Sequence, residues 1–367
     1  MAQDSYIAFD LRTGVIAAEL PLQNVFYTTL LNGAGELRGE LPMASPKSVG
    51  IDLAGAAEPA RTGLVVDRDG VLVWGGLIWT DDFHASAGAW AVAGLELWSY
   101  FRHRLISDTK TYTAVDQLAI AQALVNYAQA KTGGNVNVAV GAETSGVNRD
   151  RTYYGDEFKP IGQSIEELGA VEQGFDFAID PVYDGSGNIT FPLHLSYPRR
   201  GRVAPNTGLV FQYPGNVTDF RYPRDGTEMA VTSYTVGSGT DQNRPQVSSS
   251  LMSLIDDGYP LLDHSDVIVD DTSIANLTAH AVANEKARGG VVVHAELKVR
   301  GDQDPIIGSY VTGDDARVIL THPVRFPGPS DSLDGLDHSL DTYLRILGIQ
   351  VTPRTEEVML TMGPILV

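Results

Sequence analysis

Residues 71–80 read VLVWGGLIWT. Val, Leu, Ile and Trp in an unbroken apolar run read as a β-strand. Gly75 and Gly76 sit in its middle, where glycine costs backbone entropy and supplies no side chain to pack. Two readings account for them. The pair marks a place where a strand of a small barrel bends or bulges, or it is a turn joining two shorter strands. The four tryptophans of the chain, Trp74, Trp79, Trp90 and Trp98, crowd this neighbourhood. In a regular strand Trp74 and Trp79 point to opposite faces, so one flat aromatic platform would need a bulge between them. On the bend reading they fill core or interface beside the missing side chains.

Outward from this stretch, Arg68-Asp69-Gly70 is a hairpin turn signal between LVV and VLVW. GVIAAELPL (14–22), NVFYTTLLN (24–32), GELRGELPM (35–43) and AWAVAGLELWSYF (89–101) read as further strands. Short strands at this spacing predict a small barrel or sandwich over residues 1–112. At Thr113 the period changes. TAVDQLAIAQALVNYAQAKTGG places Val115, Leu118, Ala121, Val125 and Ala128 on one helical stripe. Thr113 is the expected N-cap, with Asp116 in the capping-box position and Gly133-Gly134 as the stop. VNVAV follows as a strand. QSIEELGAVEQG (163–174) reads as a second helix capped by Ser164, with Glu167 in the box position and Gly174 as stop. FDFAID and ITFPLHLSYP are strands around the turn-rich 184–188. Residues 113–206 therefore form an α+β unit.

Strands return at GLVFQYPGNVTDFRYPRDG (208–226) and EMAVTSYTVGSG (228–239), and residues 238–250 read as a loop. Helical pattern reappears in DDTSIANLTAHAVANEKARGG (270–290), capped by Asp271 or Thr272 and ended by Gly289-Gly290. VVVHAELKVRG, ARVILTHPVRF and TYLRILGIQVTPRTEEVMLTM complete the chain as strands. The expected organisation is α+β, mainly β. Two β units, 1–112 and 207–251 with 291–367, accompany an α+β unit at 113–206 and a helical insertion at 252–290.

The bulk numbers bound the function. The 367 residues suit two to three structural units. Hydrophobic residues make up 43% and charged residues 20%, a globular composition. No apolar run reaches bilayer-spanning length, and MAQDSYIAFDLRTG lacks the basic and apolar regions of a signal peptide. With no cysteine, disulfides, thiolate nucleophiles and Cys-ligated zinc are excluded. A net charge of −20 argues against gripping nucleic acid through its phosphates. Its plain role is solubility; it would also keep a polyanion from sticking to a surface it must pass.

Catalytic signatures are missing: there is no HExxH, P-loop, strand-linked GxGxxG or GxSxG elbow. His294-Ala-Glu296 matches half of a zinc-deaminase signature whose other half needs cysteine, and it reads as a strand histidine. His84, His103, His194, His264, His280, His322 and His338 are scattered singly and read as surface or boundary residues. The acidic loop with Asp331, Asp334, Asp337 and Asp341 loosely resembles a cation site but lacks EF-hand spacing, and reads as solvated. A pair of glycosidase-type carboxylates is not distinguishable among 46 acidic residues. Arg199, Arg200 and Arg202, in YPRRGR, leave three readings open: an anion site, pairs with another subunit's carboxylates, or a solvated loop.

The order of these features carries a resemblance. VVDRDGVLVWGGLIW (65–79), GLELWSYFRHRLI (94–106), TYTAVDQLAIAQALV (111–125) and SGVNRDRTYYGDEFKPIGQSIEELGAVEQGFDF (145–177) together resemble minor tail proteins of long-tailed actinobacteriophages, which are similar to baseplate and tail-tip hub proteins. The resemblance is most specific over residues 64–180. It implies two tube-type β-barrel or sandwich domains related to tail-tube protomers, with α+β and helical domains inserted. It also implies a homotrimeric ring in the virion, at the siphovirus tail tip. That ring would join the tail-tube end or distal tail protein to a central fibre or spike. It would surround the channel through which tape-measure protein and then DNA leave, without specific DNA binding. A structural protein of this kind has no catalytic, cofactor-binding or metal-binding residues and no cofactor. Two other readings stand beside it. One is a tail-associated cell-wall hydrolase, for which the chain leaves no extra C-terminal module after EEVMLTMGPILV. The other is a carbohydrate- or receptor-binding tail protein using the tryptophans.

Overall fold

The computed structural model describes residues 4–42, 52–86, 88–239, 243–269 and 271–365. Parts of the expected elements at Met43, 240–242, Asp270 and Leu366-Val367 lie outside the described residues. The chain is mainly β, with helices Gln117–Ala130, Ile161–Gly169 and Ile274–Arg288.

Both β units run into a single 13-stranded sheet. Along its main path the order is Val217–Arg221, Ala295–Arg300, Glu357–Gly363, Leu340–Thr352, Gln23–Leu30, Glu36–Pro42, Ala89–Glu96, Val71–His84, Thr62–Arg68, Asp4–Asp10 and Ile16–Leu20. Asp315–Leu320 pairs with the first half of Leu340–Thr352, and Val210–Tyr213 lies parallel to it. The seam between the units is the second half of Leu340–Thr352, where Gly348, Ile349, Gln350 and Val351 pair with Leu30, Thr29, Thr28 and Tyr27. The two β units expected as tube-type barrel or sandwich domains are thus joined in one continuous sheet. It closes into no barrel among the described residues.

One core runs through both β units, with Leu37, Leu41, Val66, Trp74, Phe211, Leu297, Ile346 and Leu360 buried together. A second lies on the other face of the first unit, where Val65 and Leu77 meet Trp98, Phe101, Ile120, Leu124, Phe177 and Phe191. Alternate residues of Thr62–Arg68 and Val71–His84 therefore serve two different cores. That explains why these strands read as solid apolar runs and not as alternation.

The glycine pair sits inside one strand of 14 residues, so the turn reading fails. No bulge falls on the glycines themselves, since Gly75 and Gly76 pair in register with Val65 and Leu64. Register shifts instead flank the pair on both sides, one skipping Val73 against Val66-Asp67 and one between Ile78 and Thr80 that leaves Trp79 unpaired. The glycines are there for close packing. A Cβ at Gly76 would lie 2.0 Å from the carbonyl oxygen of Leu95 and 2.8 Å from the Trp74 indole. A Cβ at Gly75 would lie 2.8 Å from Pro181 on the opposite face.

The helix starts also differ from expectation. Residues Lys110–Asp116 are a strand paired with Asn148–Tyr153, so Thr113 caps nothing. Asp116 is the N-cap, its carboxylate accepting from Leu118 N at 2.9 Å. The second helix begins at Ile161 after Pro160 and ends at Gly169, and Ser164 lies inside it, donating to the Pro160 carbonyl. Ser273 caps the third helix, while Asp271 accepts from Ser273 N. Thr232–Val236, read with the second β unit, is instead the centre of a separate three-stranded sheet, flanked by Gln246–Ser250, in the stretch read as a loop, and by Asp263–Val267. Helix Ile274–Arg288 packs against that sheet.

Candidate functional site

The α+β unit meets the second β unit through charge. The tip of the YPRRGR loop reaches carboxylates more than a hundred residues away. Arg199 makes a bidentate pair with the fully buried Asp315, which also accepts from Ala204 N at 2.8 Å. Arg202 binds Asp314 through Nη2 at 2.6 Å and through its own amide at 2.6 Å. Burial pushes the Asp314 carboxyl up, but the Arg202 hydrogen bonds and the Arg202 and Val311 amides outweigh it and hold it below the ordinary range. Arg200 reaches Asp180 at 2.8 Å, and its amide donates to Asp176, which Arg345 also binds. Of the three open readings of this cluster, the structure supports none: the arginines are tied to carboxylates of their own chain.

The four tryptophans form no platform. Trp74 is buried in the first core and donates to the Thr28 carbonyl at 3.1 Å. Trp98 stacks on Phe177 at 4.1 Å and donates to Glu166. Trp79 donates to Ser99, and Trp90, at the exposed strand end, donates to Asp81.

The singly scattered histidines stay apart. His294 is exposed, and Glu296 is bound by Arg221 at 3.1 Å. His84 lies near Ser86, His103 stacks on Trp79, and His322 Nδ1 accepts from Val324 and Arg325 amides. His280 departs from the surface expectation: it is 8% exposed, with Nε2 3.3 Å from Arg151, which is paired with buried Asp271. The acidic loop gathers no cation shell. The His338 hydrogen bond holds Asp334 down to about 2, Asp337 caps Ser339, and Asp341 binds Arg317 at 2.8 Å. Among the described residues no group of three or more His, Asp or Glu could hold a metal ion. Among the described residues no helix is long and apolar enough to cross a membrane.

The sequence pointed to no cavity, yet one of about 540 Å³ opens where both β units and the α+β unit meet. The seam residues Tyr27, Thr29, Ile349 and Val351 form part of its wall, with Glu96, Asp180, His194, Arg200 and Tyr310 around it. Glu96 accepts from the Gly35 amide at 2.6 Å and weakly from Leu30, but has no cation on it. Desolvation pushes its carboxyl up to about 8, opposed by those two amides. The one sequence signal for it was a carboxylate between Leu95 and Leu97 in an otherwise apolar strand. Tyr27 and Tyr310 gave no signal, because a tyrosine in a strand is ordinary core material.

No protein-family model matches the chain, and no curated protein matches it. Its fold is similar to that of solved tail proteins over nearly the whole length. The tail protein from Neisseria meningitidis MC58 superposes with a TM-score of 0.60 at 12% identity, covering 98% of this chain and 97% of that one. The 43 kDa tail protein of prophage MuSo2 from Shewanella oneidensis gives 0.58 at 10% identity, covering 98% of each. The prophage tail protein gp18 from Listeria monocytogenes EGD-e gives 0.56 at 9% identity, covering 98% and 94%. At these identities the likeness is one of fold, and the fold is that of phage tail proteins.

Proposed function

We propose that the chain is a structural virion protein of a long-tailed phage, a tail-tip or baseplate hub. Three copies form a ring that continues the tail tube, holds a central fibre or spike and lines the DNA exit channel. The observation that carries this reading is the seam at Gln23–Leu30 and Leu340–Thr352, which sets two β units side by side in one sheet. A ring of three such chains presents six similar β units to a six-fold tube. Residues 1–112 and, within 207–251 and 291–367, the strands of the 13-stranded sheet are read as the two tube-type units, 113–206 as the α+β domain, and 252–290 together with Thr232–Val236 and Gln246–Ser250 as the insertion. The tail-tube-end protein, the fibre or spike and the tape-measure protein are the partners this role requires.

The electrostatics support passage of DNA without binding. The chain carries a net charge of −20, and its densest basic cluster is occupied by its own aspartates. Each phosphate left unpaired releases no counterion, so the backbone gains no affinity for the surface. Mass measurement in solution with low-resolution imaging tests the reading. The expected result is a three-fold ring with a hole wide enough for duplex DNA. A monomer at all concentrations, or a ring with a basic lumen, overturns it. The hydrolase reading predicts a clearing band on host cell walls in a zymogram, and the hub reading predicts none.

A further inference from the structure

The seam cavity holds one carboxyl group without a charge partner. Glu96 lines it and is partly exposed there. Its Oε2 accepts from the Gly35 amide at 2.6 Å and from Leu30 at 3.4 Å, while Oε1 accepts nothing among the described residues. The Tyr27 and Tyr310 hydroxyls and Arg200 Nε are sealed away, and Glu96 Oε1 is not one of these closed atoms. The charged groups facing Glu96 are Asp180 and Arg200. These two are spent on each other at 2.8 Å, with His194 3.5 Å from the same carboxylate. Asp180 adds to the rise that desolvation imposes on Glu96, so the site resists a further negative charge. Much of the remaining wall is aliphatic, as at Val73 and Ile349.

The occupant follows from what each class does for Glu96. An anion meets two carboxylates, and the Arg200 guanidinium is already taken. An uncharged apolar group leaves Oε1 without a partner. A cation on an alkyl stem gives Oε1 a charge-assisted hydrogen bond and lays its stem along the aliphatic wall. In a space shielded from water that attraction is stronger than in bulk solvent. The volume, about 540 Å³, lies within the range of pockets that take small organic ligands. We propose that this cavity binds an ammonium or guanidinium group on a short alkyl stem, with Glu96 as its counter-ion. The group belongs either to a free amine or to a lysine or arginine side chain of another protein. The inference goes beyond the assembly reading, because it concerns a cavity within one chain and requires no ring.

Calorimetric titration of the full chain with butylguanidinium and butylammonium tests it, with butanol and butyrate as neutral and anionic controls. Saturable binding of at least one cation, about tenfold or more tighter than of either control, is expected at pH 8.5. Glu96→Gln keeps an acceptor for both amides and should weaken cation binding about ten- to a hundredfold. The cation needs the ionised carboxyl, and burial holds that group at about 8. Cation affinity should therefore rise about tenfold from pH 7 to pH 9, and binding at pH 7 should release about 0.9 proton. Proton release is read from the titration heat in buffers of different ionisation enthalpy. It needs no variant, so it tests the proposal even if Glu96→Gln does not fold. The peptide acetyl-Gly-Arg-Gly-amide separates the two sources: binding as tight as that of butylguanidinium assigns a protein side chain, and much weaker binding assigns a free amine. Lack of cation binding at tens of millimolar overturns the proposal. So does binding of butanol or butyrate as tight as that of the cations, wild-type affinity in folded Glu96→Gln, or an affinity independent of pH.

Discussion

The α+β unit has two neighbours and is fastened to them by different forces. Toward the first β unit the contact is apolar and close: Phe191 and Pro181 lie against Gly75, and Trp98, Phe101 and Phe177 share a core with Val65 and Leu77. Toward the second β unit it is ionic, with Arg199, Arg202 and Arg345 bound to Asp315, Asp314 and Asp176. Apolar packing rewards area and is indifferent to which carbon meets which. A buried ion pair needs both partners, and its failure leaves a charge stranded. The first junction should therefore degrade gradually on substitution, and the second should fail when one partner is lost.

The largest effect belongs to the apolar side. Phe191→Ala should cost about 3–5 kcal/mol, as full removal of a buried aromatic does, measured by urea unfolding. Asp315→Ala leaves Arg199 without its buried partner and should cost about 3 kcal/mol. Replacing both Arg199 and Asp315 by apolar residues should recover much of that loss. If the single substitution costs under about 1 kcal/mol, the ion pairs do not hold this junction. Gly75→Ala should cost about 1–3 kcal/mol, because the new methyl group must displace Pro181 or Phe191.

Two carboxylates, Glu96 on the cavity wall and Asp314 at the ionic junction, have opposite pH signs. Glu96 has a raised carboxyl, so its contribution is full below the ordinary carboxylate pKa and is lost as pH rises through about 8. Asp314 has a lowered one, so its contribution is present above the ordinary pKa and is lost as pH falls below it. Glu96→Gln should flatten the alkaline side of the stability profile and Asp314→Asn the acid side. A profile in which Glu96→Gln changes only the acid limb would break the assignment. The smallest effect is expected at the exposed Arg317–Asp341 pair, where Arg317→Ala should leave the unfolding midpoint unmoved.

Much of the first junction was legible in the chain. VLVWGGLIWT read as strand, and TAVDQLAIAQALV as a helix with one apolar stripe, because periodicity and propensity are local properties. The glycines were noticed for a valid reason but misassigned: their purpose is set by Leu95 and Pro181, which a local reading does not see. Thr113 was a reasonable cap until Asn148–Tyr153 paired with the residues around it and moved the start to Asp116. In YPRRGR nothing nearby names Asp315 or Asp314, more than a hundred residues on, so the sequence left its partners open.

By itself, then, the sequence determined the mainly-β class, the places of the helical segments, and the absence of cysteine chemistry, because each depends on residue type and short-range spacing. Only the tertiary structure decided that the two β units share one sheet, that the basic loop is an internal clamp, and that residues of both β units and the α+β unit enclose one cavity. Those are matters of long-range pairing. The chain closes distant loops only when the contacts so made outweigh the entropy of closing them, and that balance is struck by the whole fold.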